Sequence, residues 1–431
     1  MTTLTKAIYA ILISLTALTI ESQAQNAPVL QASPDSFGFQ LPKLAGQINY
    51  AVSASQTIVA GYNGNGGTVS STNVSGDFAY ITTSKTHPFA VLYSGGYLGS
   101  ESAQLPSSTF QNLALSQSYK TRTWDFVVND TVSYLPESPV GGISGIPGVG
   151  DLGSTPVEPV DYLGAGILTN YDTRVSNVIG ATAAKQFTGS TSLMGSGSYA
   201  IQRFTGSAAG DDSAYDSNQV EASLGLQHRI NARNTIGVDY VYSYFTYIGQ
   251  PLSFTANGVN LHYVRLLTSK LTLDASIGPQ WNTGTVFSST SLDLAAAVAL
   301  SYTGERTSSS LSYVRGTSAG SGVVEGALTN SIMFNSTRRL NAYWRVAGSV
   351  SYTTSQSIPD SIYPAFSIDS EIASGQLSRS LGRSFSTYGS YTLENQSLSG
   401  GVATALTFNG LQQVIGFGIT YSPGSSRVGR Q

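Results

Sequence analysis

Side chains able to do chemistry are few in this chain and far apart. There are three histidines and no cysteine, and charged residues make up only 10% of the 431 positions. His87 precedes Pro88, His228 shares an alternating face with apolar residues, and His262 alternates with Asn260 and Val264. No histidine has a serine two residues away, so a hydrolytic nucleophile has no visible base beside it. Cysteines and paired histidines at ligand spacing are lacking, which leaves no metal site to read. Glycines fall in strands and turns, never between a strand and an amphipathic helix as a phosphate loop requires. The tail arginines Arg427 and Arg430 are too few for nucleic acid. The sequence thus predicts no enzyme, no cofactor and no metal. What remains is electrostatics. Glu221, Arg229, Asp239, Asp274, Asp293 and Arg345 each stand within a run of alternating apolar and polar residues. Charges placed so can tune what passes along a polar surface.

The elements that would hold them are β-strands. From Asn234 to Thr246, Ile236, Val238, Tyr240, Tyr242 and Tyr244 share one face, opposite Thr235, Gly237, Asp239, Val241, Ser243 and Phe245. Val220–Ile230 and Leu340–Tyr352 alternate in the same way, and the last such run sets Leu411, Ile415, Phe417, Ile419 and Tyr421 against Gln412, Gly416, Gly418 and Thr420. Period-two alternation is the signature of a strand with two different surroundings. Asp130 breaks it on the apolar side of Trp124, Phe126, Val128 and Val132, which predicts a bulge or a rim position there.

The links between strands alternate in length. Tight turns are expected near Lys85–His87, Lys120–Thr123, Thr188–Ser190, Asn231–Asn234, Thr268–Lys270, Thr303–Arg306, Thr337–Arg339 and Gly382–Arg383. Longer loops are expected near Gly99–Thr109, Leu135–Thr169, Thr205–Ser217, Tyr247–Ser253, Asn282–Ser291, Gly316–Glu325, Thr354–Ser367 and Asn395–Gly410, with a link of middling length at Gly61–Gly67. Short turns on one side and long loops on the other are the asymmetry of a transmembrane antiparallel up-and-down β-barrel. The count is about 18 strands, within 16–20. Charge follows the same axis. Of the twenty Lys and Arg beyond residue 24, thirteen lie in or beside the tight turns, and the eight long loops contain none but carry ten carboxylates. One rim is basic and the other acidic, inside a net charge of only −3.

At the amino terminus Lys6 precedes an apolar run, Ala7–Ile20, and then Glu21-Ser22-Gln23-Ala24, the three-part pattern of a secretory signal peptide. The expected organisation is a signal peptide (1–24), a periplasmic N-terminal segment (25–43), a transmembrane barrel (44–422) and a C-terminal tail (423–431).

An eight-stranded barrel is filled by its own side chains, whereas 16–18 strands leave an aqueous channel unless something plugs it. The Gly- and Pro-rich stretch Pro136–Pro159 is the candidate for narrowing the lumen, with Asp151 and Glu158 facing permeants; otherwise it is a flap outside the membrane. The expected activity is an outer-membrane pore for passive or selective diffusion of small solutes, with cation preference from the acidic rim. The rival is an occluded surface barrel with a structural or adhesive role. Association of barrels is left open; the Ala295–Ala299 run is the small-residue patch it would use.

Four segments carry a family likeness: Ser75–Ser100, Phe126–Gly153, Asn218–Phe245 and Phe417–Pro423. Over most of the chain the sequence resembles large, mostly uncharacterised outer-membrane β-barrel proteins, porin-like in kind, of Gram-negative soil bacteria. The resemblance implies a bacterial outer-membrane location in contact with outer-membrane lipid, and the even strand count is expected to leave both termini on the periplasmic side. It brings no assigned solute. The closing strand is similar to the recognition strand of the barrel-assembly machinery through Gly416, Ile419 and Tyr421. Val414 departs from that pattern, as does the tail after Tyr421.

Overall fold

The computed structural model describes residues 46–428 apart from residues 63–66, 83, 85–86, 102–106, 136–172, 206–215, 321–325, 359–360, 362–364, 401–407 and 424–425. Its strands are β1 (Gly46–Tyr62), β2 (Gly67–Thr82), β3 (Phe89–Ser100), β4 (Ser108–Lys120), β5 (Trp124–Leu135), β6 (Thr173–Gln186), β7 (Thr191–Thr205), β8 (Ser217–Arg229) and β9 (Asn234–Tyr247). They continue as β10 (Ser253–Leu266), β11 (Leu271–Gly284), β12 (Ser291–Thr303), β13 (Thr307–Ser318), β14 (Ala327–Arg339), β15 (Trp344–Gln356), β16 (Phe366–Ser380), β17 (Phe385–Gly400) and β18 (Gly410–Tyr421), with a short β19 (Ser426–Val428). Each of β1–β18 pairs antiparallel with its neighbours in sequence, and β1 closes the cylinder on β18 from Val52↔Tyr421 to Ala60↔Gln413. The shortest spanning strand has 12 residues, which at the usual tilt covers about 30 Å, the thickness of a hydrocarbon core. All eighteen expected strands are present.

The alternation in the sequence maps onto the wall. Leu224, Leu226, Ile236, Val238, Leu261, Leu292, Leu294, Phe417 and Ile419 are exposed on the outside. Inward positions carry small polar side chains that bond across the ladders: Ser53 with Thr420 at 2.8 Å, Ser196 with Ser223 at 2.6 Å, Ser331 with Thr353 at 3.0 Å. An apolar outer band around a polar interior is what lipid outside and water inside select. Closing the cylinder pairs the strands on both sides along their ladders, apart from a split between β12 and β13 beyond Ala296↔Arg315.

Five of the turns share one chemistry. Thr121, Thr188, Asn231, Thr268 and Asn341 each turn a side-chain oxygen back onto backbone amides two or three residues on; Asn341 Oδ1 accepts from Tyr343 at 2.8 Å and Trp344 at 2.9 Å. This is the local bonding through which Asn and Thr favour turns over strands. Just before the polar residue stands an exposed apolar one, Phe187, Ile230, Leu267 or Leu340. With Lys185 over the rings of Trp124 and Phe187, and Arg379 over Trp344, these form a mixed apolar, aromatic and basic belt at the turn end.

Three expectations need correction. The turn placed at Thr337–Arg339 is at Leu340–Tyr343: the β14–β15 ladder runs on to Arg339↔Arg345, and Asn341 makes the reversal. Asp130 sits on neither a bulge nor a rim. Both its ladders are in continuous register, and Asn177 on the same outward face donates to its Oδ1 at 2.6 Å. The Ala295–Ala299 run is no flat outer patch, because its alternate members point inward; Ala296, beside outward Ile277, is its one outward alanine. The tail is partly used: β19 pairs with Gly46–Ile48 of β1.

Candidate functional site: the lumen and an in-folded hairpin

Eighteen strands at about 4.8 Å spacing and about 40° tilt give a backbone cylinder about 36 Å across. Wall side chains alone leave the centre of such a cylinder open. At the loop end, however, one hairpin leaves the wall. The β12–β13 ladder stops at Ala296↔Arg315, although β12 continues to pair with β11 up to Asn282↔Ser291. Beyond Arg315, β13 pairs only with β14. Thr317 then donates to Asn282 Oδ1 at 3.2 Å, two strands away, so this end of β13 lies on the lumen side of β12. Thr317, Ser318, Ala319, Ala327, Leu328 and Thr329 are all buried, whichever way each points.

The end of this hairpin spans between two walls. On one side Leu328 and Ala319 belong to a cluster with Phe245, Phe254 and Ala256 of β9 and β10, joined by Val286, Phe287 and Ile358. Phe254 stacks on Phe245 with ring centres 4.5 Å apart, and the Tyr247 hydroxyl donates to the Ala319 carbonyl at 3.0 Å. On the other side Ala327 packs against Phe366 and Ile368 of β16 and Leu398 of β17. Phe287 and Ser361, from the loops on either flank, form a bridge. Gly326 makes the approach possible: its φ is +82°, and a Cβ there would stand 3.0 Å from the Phe254 ring. Where β12 and β13 part, Arg315 spans the gap, donating to the Leu294 carbonyl at 3.0 Å and to Asn330 at 2.8 Å.

Five of the expected pore residues lie in the described lumen wall. Asp239 and Asp274 face inward on β9 and β11, with His262 of β10 between them; His262 contacts Asp239, and Asn260 donates to Asp239 at 3.3 Å. Glu221 is on the inward face of β8 beside Ser243 of β9. Asp293 accepts from Asn282 at 3.2 Å and lies 3.9 Å from Arg315, at the split in the wall. Arg345 stands apart from these, on β15 at the turn end. Asp151 and Glu158, with the rest of Pro136–Pro159, lie outside the described residues, as does the signal peptide. Gly416, Ile419 and Tyr421 are in the closing strand, paired with Thr57, Ala54 and Val52 of β1. Sequence reading missed the hairpin and the placing of His262 beside Asp239. The hairpin had a signal in GTSAGSGVVEG, Gly316–Gly326, a stretch of small residues with a single charge that can be buried on both faces.

No family model matches this chain, and no curated protein does. Solved structures of similar shape include a BenF-like porin from Pseudomonas fluorescens, with 9% identity, a TM-score of 0.44, and coverage of 89% of this chain and 99% of that one. The outer membrane protein OpdK from Pseudomonas aeruginosa has 10% identity, a TM-score of 0.42 and coverage of 88% and 99%. The siderophore receptor PiuA from Acinetobacter baumannii has 7% identity, a TM-score of 0.38 and coverage of 86% and 82%. At these identities the likeness lies in the barrel architecture alone.

Proposed function

We propose that the protein is an outer-membrane channel through which small solutes diffuse, narrowed at its loop end by the β13–β14 hairpin. The observation that carries this reading is a closed cylinder of eighteen strands, apolar outside and polar inside, too wide for its own side chains to fill. Solutes would enter past the hairpin and meet the wall bearing Glu221, Asp239, Asp274 and Asp293, whose field favours cations. In this reading the turn end and both termini face the periplasm, and the assembly machinery inserts the barrel by its closing strand. Asp151 and Glu158 remain candidates for a second narrowing.

One observation favours an occluded barrel with a structural role. Inward polar side chains at the loop end, including Thr57 and Ser71 at 0% exposure and Glu394 at 1%, are shut off from solvent. Single-channel recording in planar bilayers, with a reversal potential across a salt gradient, separates the two. Open steps with cation preference support the channel, and steps without it restrict the reading to a pore. Silence from folded protein supports occlusion.

A further inference from the structure

The turn end of the lumen has a different character from the acidic wall. A cavity of about 760 Å³ opens there among β13–β18 and β1. Arg306, Arg339 and Arg345 line it, with the neutral donors Gln376 and Ser378. Arg339 and Arg345 occupy directly opposed positions in the β14–β15 ladder. The Arg339 amide also donates to the Arg306 carbonyl at 2.8 Å, so three arginine positions stand side by side on adjoining segments. Like charges directly opposite one another destabilise a sheet, and the fold has no need of them there. Glu305 lines the same cavity, yet among the described residues no carboxylate lies within ion-pair distance of any of the three guanidiniums.

We propose that this vestibule binds small polyanionic solutes, molecules carrying at least two phosphate or carboxylate groups. Directly opposed side chains start about 5 Å apart, so two planar guanidiniums can grip one oxyanion from both sides, each through paired N–H bonds. The third takes a second acid group of the same solute, which accounts for a cavity much larger than a single phosphate. The carboxylates of β8, β9 and β11 belong to another sector of the lumen wall and repel such a solute toward the basic one. The assignment rests on the channel reading for its purpose: the acidic wall sets the preference among simple salt ions, the basic vestibule holds the polyanion, and that binding itself does not depend on conduction.

Calorimetric titration of the detergent-purified protein with pyrophosphate, citrate and acetate in low salt tests it. At least one of pyrophosphate and citrate is expected to bind about tenfold or more tighter than acetate, and the tighter of the two names the acid group. The double variant R339Q/R345Q is expected to weaken that binding by about tenfold or more, and R306Q to weaken it by less. Both are substitutions at the exposed mouth that leave the ladders intact, and retained β circular dichroism checks that they do. No binding of either polyanion, or equal binding by the folded double variant, overturns the proposal. Binding by a protein that is silent in bilayers would keep the site and remove the channel; open channels without binding would do the reverse.

Discussion

Replacing Phe254 with alanine should release the hairpin while leaving the barrel standing. The ring is 1% exposed, stacks on Phe245 at 4.5 Å, meets Phe287 edge-on at 5.7 Å, and belongs to the same cluster as Leu328 of the hairpin. Truncating a buried phenylalanine costs about 3–5 kcal/mol. About 3 kcal/mol of that would fall on hairpin docking, because the β9–β10 ladder that carries Phe245 and Phe254 does not depend on the ring. At about 1.4 kcal/mol per decade the undocked population rises about a hundredfold. In planar bilayers the variant should show larger or longer-lived open steps than the parent, with heat resistance of the barrel nearly unchanged. Gly326→Ala gives an independent check. It strains a φ of +82° and brings a methyl against the same ring at 3.0 Å, costing about 1–2 kcal/mol, and should move conductance the same way by less. Unchanged conductance and gating noise in both variants would mean that the hairpin does not limit the pore.

Three other measurements bear on the wall, the turns and the charge. Leu224→Arg, at a position 59% exposed on the outer band, should reduce folding stability in bilayers by about 2–4 kcal/mol if it lies near the midplane; a loss below 0.5 kcal/mol on the order of experimental error would argue that this face does not meet lipid. Asn341→Ala removes the acceptor for two turn amides, at 2.8 and 2.9 Å, and should cost about 1 kcal/mol in urea titration. An unchanged midpoint would deny that turn its side-chain bonds. Asp239→Asn combined with Asp274→Asn should shift the reversal potential toward anions at low ionic strength, and less at high salt where charges are screened. A shift independent of salt, or none, would remove the acidic wall from selectivity.

The architecture was legible because its physics is local. Alternation from Ile236 to Tyr244 and from Leu411 to Tyr421 assigns faces without any tertiary knowledge, and the recurring Thr or Asn turns punctuate it. Where the reading slipped, two local signals competed. Leu340 continued the apolar alternation, so the turn was set three residues early, whereas the Asn341 side chain decides the reversal. Asp130 looked like a defect because its partner Asn177 is 47 residues away, across a ladder. Alternation puts the lumen charges on one face of their strands, but which of them meet depends on register: Asp239 opposes Asn260, and that sets His262 beside it. The in-folded hairpin was illegible for a deeper reason. Its burial is created by Phe254, Phe366 and Leu398 from distant strands, and composition at Gly316–Gly326 permits that burial without requiring it.

The split between β12 and β13 raises the question of how a membrane wall tolerates an opening. An unpaired strand edge in hydrocarbon leaves amides and carbonyls without partners, at several kcal/mol each. The opening lies above Ala296, where Leu292 and Leu294 still present apolar side chains outward. Arg315 stands at its apex. Its Nε donates to the Leu294 carbonyl, which faces the gap, and its other nitrogens reach Asn330 and Asp293. One residue thus supplies a freed acceptor with a donor, ties β13 to β12 through a side chain where the ladder has ended, and carries its charge next to a carboxylate. Leucine at the same position would match the outer band better yet leave that carbonyl bare. The hairpin thus leaves the wall at a point where Arg315 bonds both to the strand it departs from and to its own partner strand.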